Sequence, residues 1–226
     1  MLTWQSTAWE FKEKPPQIAI LPLACLEPHG SHLPIGTDQL IVSEIARRIA
    51  ADFPLQTYLL PTWPLGTSAQ YVGQAGAVSL RNETLWAVVR DIVLSLCDHN
   101  ILFVAVINNH GSTATPNAYP VGNLIVKTAV RQLNYETPKL SAIWLQPFAV
   151  GREVLKALFS LVDQEVQLDV VETAILLHLA PTLVGPLPPG GVWGKTSEAS
   201  AEKGRFALEA VVKVSSEYIE HSFYAT

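Results

Sequence analysis

The sequence predicts an α/β fold in which helices cover both faces of a mainly parallel central sheet. Short, continuous apolar runs alternate along the chain with longer segments of helical periodicity. That alternation is typical of parallel strands buried on both faces. The 226 residues are 49% hydrophobic and 15% charged, which suffices for one large domain over residues 1–226. No internal repeat and no clear linker divides the chain.

The first half of the chain supplies two predicted strands and two predicted helices. Ile18–Leu23 is a continuous apolar run and is predicted to be a buried strand. Apolar residues at helical spacing then predict a helix from Asp38 to Phe53, with Thr37 as its cap. A second strand is predicted at Thr57–Leu60. After a glycine-rich loop, a helix is predicted at Asn82–Asp98.

The same alternation continues through the second half of the chain. It predicts two more strands, at Ile101–Ile107 and Leu140–Leu145. It also predicts three more helices, at about 117–133, 166–179 and 198–220. In such a sheet, ligands bind at the carboxyl ends of the strands, so the loops that follow the strands are the place to look for a site.

Charge and hydrophobic pattern argue against several classes of function. The net charge is -5 and no cluster of Lys and Arg forms a basic patch, which argues against nucleic-acid binding. No apolar run approaches the ~20 residues of a membrane helix, and the first residues do not resemble a secretory signal. Cys25 and Cys97 both lie in apolar runs and are interpreted as reduced core thiols of a cytoplasmic protein.

Two polar loops that follow buried strands carry histidine. The first begins at Glu27 and ends at Asp38, and it contains His29 and His32; the second contains His110. Because both loops leave the carboxyl ends of parallel strands, they are predicted to meet at one edge of the sheet. Imidazole and carboxylate groups together suit zinc, manganese or iron. The alternative is a polar loop with histidines hydrogen-bonded locally.

The first loop carries a specific resemblance. Its sequence, Glu-Pro-His-Gly-Ser-His-Leu-Pro-Ile-Gly-Thr-Asp, closely resembles the signature of the creatininase (creatinine amidohydrolase) family. Four further segments resemble that family in the same order along the chain: Gly76–Leu80, Asn108–Gly111, Glu172–Ala174 and Gly191–Gly194. The chain is therefore identified as a member of the family.

The resemblance implies a fold, a metal centre and an activity. The implied fold is a three-layer α/β/α sandwich, often assembled into hexamers. Glu27, His29, Asp38 and His110 match metal-binding positions of the family, and Asp38 would bridge two ions where two are present. The implied activity is hydrolysis of cyclic amides, formamides or related C–N bonds with zinc, manganese or iron. Zinc is favoured, and one ion or two would fit.

Glu172 and His32 are the candidate catalytic residues. Glu172 lies in an apolar helical segment, where a carboxylate is costly unless it is paired or binds a metal. It is predicted to be a metal ligand or a general base, the alternative being an ordinary ion pair or a partly exposed helix residue. His32 is predicted to orient Glu27 or Asp38 by a hydrogen bond, without binding the metal itself. The alternative is that it only maintains the loop structure.

Several residues depart from the family pattern. Ser112 stands where creatininase itself has a metal-binding glutamate, and Gln167 stands where the family often has a proton-transferring histidine. Gln70 and Tyr71 replace a Glu-His pair, and Gly111-Ser112-Thr113 replaces Gly-Gly-Asn. Two explanations are open: the chain acts on a different substrate, or it has lost catalysis and kept a structural metal. Tyr71 is a candidate substitute in the proton relay.

The sequence therefore predicts a cytoplasmic, metal-dependent amidohydrolase that acts on a small-molecule amide. A homo-oligomer is expected, with a hexamer as the leading model, and neither nucleic acid nor membrane is expected as a partner. The alternatives are a deformylase or small peptidase on the same scaffold, and an inactive protein that keeps its metal.

Overall fold

The computed structural model describes residues 1–53, 55–110, 122–159, 169–187 and 196–225. Its strands form one sheet in the spatial order β1-β3-β2-β4-β5, and all of their pairings are parallel. The strands are β1 Leu2–Thr3, β2 Ile18–Leu23, β3 Thr57–Leu59, β4 Phe103–Asn108 and β5 Ser141–Leu145. Every residue of the two central strands, β2 and β4, is buried. Burial on both faces explains why these strands are continuous apolar runs rather than alternating ones.

The described helices number eight. They are α1 Ala8–Glu13, α2 Thr37–Asp52, α3 Asn82–Asp98, α4 Gly122–Glu136, α5 Pro147–Val150, α6 Arg152–Phe159, α7 Asp169–Leu179 and α8 Ala201–Tyr224. Five of them correspond to the predicted helices, whereas α1, α5, α6 and the two-residue β1 were not anticipated. None of the described helices combines the length and apolar character needed to cross a membrane.

The sheet divides the apolar core into two layers. Alternate residues of β2, such as Ile18 and Ile20, face a cluster formed with α2, α5, α6, α7 and α8. The residues between them, such as Ala19 and Leu21, face α3 and α4 on the other side. The alternation follows from the two-residue period of a strand. The predicted three-layer α/β/α sandwich is thus confirmed.

The start of α2 differs in one detail from the prediction. Thr37 was predicted to cap the helix with its side chain, but it is the first helical residue and Gly36 occupies the cap position. The Thr37 hydroxyl donates instead to the carbonyl of Pro34 at 2.7 Å. The preceding loop therefore turns tightly into the helix, and Asp38 lies in the first turn, where a helix N-terminus favours negative charge.

Some predicted features lie outside the described residues. They are the first part of the helix expected at 117–133, the start of the one expected at 166–179, and the positions Gly111, Ser112, Thr113, Gln167 and Gly191–Gly194.

Glu44, on α2, binds two arginine side chains. Arg47 donates two hydrogen bonds to its carboxylate, at 2.7 and 2.8 Å, and Arg48 donates one at 2.7 Å. The hydrogen bonds from Arg47 are the main cause of a pKa for Glu44 of about 2, below its ordinary value of 4.5, and they outweigh the opposing effect of burial.

Substitution Glu44→Gln is expected to remove a pH-dependent part of the stability. Because the folded-state pKa is depressed, this part is complete above pH 4.5 and is lost as the pH falls towards 2. The carboxylate is partly exposed and screened, so the effect at neutral pH should be ~1 kcal/mol. Urea unfolding of both proteins at neutral pH and at about pH 3 measures it. A difference between wild type and variant that does not shrink in acid would contradict the expectation.

Candidate metal centre

The candidate site lies where β2 and β4 end. These strands run side by side from Ile18↔Phe103 to Leu23↔Asn108, so the loops that follow them emerge together. The loop after β2 folds back on itself, because the Glu27 N–H donates to the carbonyl of Ile35 at 3.2 Å. The parallel-sheet argument thus correctly placed the two histidine-containing loops at the same edge.

One group of side chains surrounds His110. Its Nδ1 atom lies 3.2 Å from Oε1 of Glu27 and 3.2 Å from Oδ2 of Asp38. The backbone of His110 is held on both sides: its N–H donates to the Asn108 side chain at 3.3 Å, and its carbonyl accepts from the amide of Asn123. Ligand atoms of Cys25, Glu27, Asp38 and His110 all lie within 4.8 Å of one another. All four residues are buried.

A second group surrounds His29. Its Nε2 atom lies 3.6 Å from Oδ1 of Asp38 and 3.9 Å from Oε2 of Glu172, which α7 brings to the site. The other ring nitrogen, Nδ1, is 3.0 Å from the carbonyl oxygen of Glu27. A carbonyl only accepts, so this contact places a proton on Nδ1 and directs Nε2 towards the carboxylates.

Asp38 belongs to both groups. Its Oδ2 faces His110 and its Oδ1 faces His29, and the residue is only 1% exposed. Burial by itself would raise its pKa, but hydrogen bonds from His110 and His29 outweigh burial and hold the pKa of Asp38 well below its usual range. Asp38 therefore stays ionised between two imidazoles, in a position to be shared by two metal ions.

Burial dominates the electrostatics of Glu172. Loss of solvent raises the pKa of this carboxyl to about 7, although nearby His29 acts to lower it. For His29, burial acts to lower the pKa, but Glu172 and Asp38 outweigh it and raise the pKa to about 10. Among the ion pairs of the described residues, those of Glu27, Asp38 and Glu172 are with histidine alone. Three buried carboxylates around two imidazoles form a site that attracts positive charge.

His32 makes a different contact from the predicted one. Its Nε2 lies 2.8 Å from the hydroxyl of Thr173, whereas Glu27 or Asp38 was the expected partner. Its carbonyl accepts from the N–H of Gly185 at 2.7 Å. The difference arises because α7 passes behind the loop and presents the residue next to Glu172. His32 therefore connects the loop to α7 at the residue that follows Glu172.

Two further residues, Cys25 and Tyr71, lie near these groups. Cys25 was interpreted as a reduced core thiol, and it is free and buried; in addition, its sulfur lies within 4.8 Å of ligand atoms of the His110 group. Its place two residues before Glu27, just beyond the end of β2, was the available signal. Tyr71 ends a short 3₁₀ turn, and burial, followed by the charge of Glu27, raises the pKa of its phenol. Tyr71 therefore stays protonated at neutral pH and can donate a hydrogen bond.

The fold and the site together define a class of protein. This is a three-layer α/β/α sandwich with a buried cluster of histidines and carboxylates at the carboxyl ends of its parallel strands. A family model described as creatinine amidohydrolase matches residues 1–188. The chain belongs to the creatininase family, which confirms the resemblance carried by the first loop.

Individual relatives agree with this assignment. The chain is 24% identical to creatinine amidohydrolase of Pseudomonas putida over 246 aligned positions, which cover 92% of this chain and 91% of the relative. It is 27% identical over 175 positions to a mycofactocin precursor peptide peptidase of Mycobacterium ulcerans (strain Agy99), covering 73% of this chain but only 59% of the peptidase.

Solved structures of creatininase have the same fold. A structure titled creatininase Mn superimposes with a TM-score of 0.78 at 22% identity, over 98% of both chains. A creatininase variant of Zn-Zn type also gives a TM-score of 0.78, at 21% identity and the same coverage. At these identities the comparison establishes the fold of this chain.

Proposed function

We propose that this chain is a metal-dependent amidohydrolase that hydrolyses a C–N bond of a small molecule, of the cyclic amide or formamide type. The observation that carries the proposal is the position of Asp38, with one carboxylate oxygen in each of two ligand groups. Membership of an amidohydrolase family supports the same reaction class. Continuity of one apolar layer from Ile18 to Ile219 supports a single domain over residues 1–226.

The side chains present fit divalent metal ions. Glu27, Asp38 and His110 would hold one ion, and His29, Asp38 and Glu172 a second. Oε2 of Glu27 is buried and has no hydrogen-bond partner among the described residues, a costly state that a bound cation would relieve. Nitrogen and oxygen donors together suit zinc, manganese or iron, and zinc is the ion we favour. Such an ion lowers the pKa of a water molecule and polarises a carbonyl group.

Residues of the chain then supply positioning and proton transfer. Amide hydrolysis takes one proton from the attacking water and returns one to the leaving nitrogen. Glu172, with a pKa near 7, can accept and release that proton close to neutral pH if it does not serve only as a ligand. The bond between His32 and Thr173 fixes the turn of α7 that carries Glu172. The protonated phenol of Tyr71 is a second donor for the leaving group or the substrate.

The departures from the family pattern favour a substrate other than creatinine. Ser112 cannot replace the metal-binding glutamate of creatininase, and Gln167 cannot transfer a proton. Glu172 lies close enough to His29 to complete the second ligand group in place of the glutamate that Ser112 replaces.

The second candidate function is that of a deformylase or small peptidase on the same scaffold. Its support is the 27% identity to a protein named as a peptide peptidase. The third candidate, an inactive protein with a structural metal, rests only on the replaced residues Ser112 and Gln167.

Assembly and location are also proposals. Exposed aromatic side chains, among them Trp4, Trp9 and Tyr135, support a homo-oligomer, with a hexamer as the leading model. Cys25 and Cys97 are both free thiols, which fits a cytoplasmic protein.

Metal analysis followed by a substrate screen tests the function. Wild-type protein purified without added metal is expected to hold one or two equivalents of zinc, manganese or iron. His29→Ala is expected to lose metal, whereas His99→Ala, at the exposed end of α3, should retain it. The loaded protein is then screened on cyclic amides, formamides and short peptides. A wild type that binds no metal even after soaking in zinc or manganese would refute the amidohydrolase; hydrolysis of peptides alone would favour the second candidate.

A further inference from the structure

The thiol of Cys25 belongs to the metal centre by position. Cys25 lies two residues beyond the end of β2 and is 1% exposed. Its sulfur lies within 4.8 Å of ligand atoms of Glu27, Asp38 and His110. The sulfur thus lies where a fourth metal ligand would lie, beside two carboxylates and one imidazole.

The surroundings of Cys25 are those of a ligand rather than of a core residue. Cys97, the other cysteine of the chain, lies in the apolar layer between the sheet and the helices α3 and α4. Cys25, in contrast, faces polar groups, because ligand atoms of two carboxylates and of the His110 imidazole lie within 4.8 Å of its sulfur. Oε2 of Glu27 in the same group has no hydrogen-bond partner among the described residues. A shared ligand explains both observations.

Gly66 leaves space for this sulfur. A Cβ atom added at Gly66 would come within 2.2 Å of Sγ of Cys25 and 2.9 Å of the carbonyl oxygen of Ala24. Gly66 itself is held at this place, because its carbonyl accepts from the N–H of Leu80 at 2.8 Å. The thiol is therefore confined between the backbone of Gly66 and the ligands of the His110 group.

We propose that Cys25 is a metal ligand that, with Glu27, Asp38 and His110, makes one half of the centre a zinc site with one sulfur donor. This inference rests on the proposed metal-dependent function. Thiolate is a soft ligand that selects zinc over manganese, and four donors satisfy the tetrahedral preference of zinc. On binding, the thiol transfers its proton to solvent and the sulfur lone pair forms the bond to the ion, with no change of oxidation state.

Cobalt substitution tests the sulfur ligand directly. The full chain is stripped of metal and loaded with Co²⁺, which takes the place of zinc and absorbs in the near ultraviolet when thiolate binds it. The band is expected in wild type and in Cys97→Ser, where Cys25 is the only cysteine left. It should be absent from Cys25→Ser and Cys25→Ala. Since Cys97→Ser alone assigns the band, the test does not depend on the folding of the Cys25 variants.

Metal competition gives a second readout. Removal of the sulfur in Cys25→Ser is expected to reduce the preference for zinc over manganese by about tenfold or more, while Cys97→Ser keeps it. If cobalt binds in full but the thiolate band is missing, or persists in Cys25→Ser, Cys25 is not a ligand and the metal-dependent function stands. If wild type binds no cobalt, zinc or manganese, both proposals fail.

Discussion

Asp38→Asn is expected to empty both halves of the candidate metal centre. Each carboxylate oxygen of Asp38 serves a different group, at 3.2 Å from His110 and 3.6 Å from His29. Asparagine has nearly the same shape, but its NH₂ group donates hydrogen bonds and cannot bind a cation. Removal of a residue that only hydrogen-bonds to a metal ligand lowers metal affinity by about 10–100-fold. Removal of a ligand that both ions share should therefore lower metal affinity by more than about a hundredfold. Turnover of any amide substrate should fall with it.

The measurement is metal content per chain after dialysis, with circular dichroism to show that the variant is folded. Asp91→Asn is the matched control, because Asp91 is an exposed carboxylate on α3 and should leave metal content unchanged. Wild-type metal content in Asp38→Asn would show that the ion does not bind between His29 and His110. Loss of only one of two equivalents would show that the two groups bind independently.

The sheet was predictable because its strands are buried on both faces. β2 and β4 are continuous buried runs, which are easily recognised in the sequence. The helices between the strands show apolar residues at helical spacing. Parallel order then placed the ends of both strands at one edge, which is why Glu27 and His110 were expected to meet across more than eighty residues of sequence. Topology, rather than local sequence, made that half of the site predictable.

Short and peripheral elements were harder to predict. β1 has two residues, too few for any periodicity, and it forms only by pairing with β3. α1 has no buried residue, so its sequence has no apolar face from which the helix could be predicted. It did carry one usable signal, the capping box of Thr7 and Glu10, in which each side chain bonds the backbone of the other residue.

Contacts made by α7 could not be derived from strand order. The position of Glu172 relative to His29, and the bond from His32 to Thr173, depend on where α7 packs against α2 and α8. That packing is set by the shapes of buried side chains, which the hydrophobic pattern does not specify. The contact between His32 and Thr173 could therefore not be derived from the sequence, although the presence of His32 near the site was anticipated.

Gly204→Ala is expected to destabilise the fold strongly, although it adds only one methyl group. A Cβ atom at Gly204 would lie 1.9 Å from the carbonyl oxygen of Ala174 and 2.8 Å from the backbone nitrogen of Ile175. These are backbone atoms of α7, so no side-chain rotation relieves the clash and the two helices must separate. Alanine gains about 1 kcal/mol over glycine in helix propensity, but overpacking costs about 1–3 kcal/mol or more.

The cost of the clash is expected to exceed the gain in helix propensity, because separation of α7 and α8 opens gaps in the apolar layer that both helices cover. We expect a net loss of roughly 2 kcal/mol, equivalent to a fall in Tm of about 4–8 °C for a chain of this size. Thermal unfolding beside Glu220→Ala, on the exposed face of α8, measures it, and the control should change stability by less than about 0.5 kcal/mol. A variant as stable as wild type would show that α8 can move away from Ala174 at no cost. Because Ala174 lies two residues after Glu172, the same displacement links the packing of α8 to the position of a candidate metal ligand.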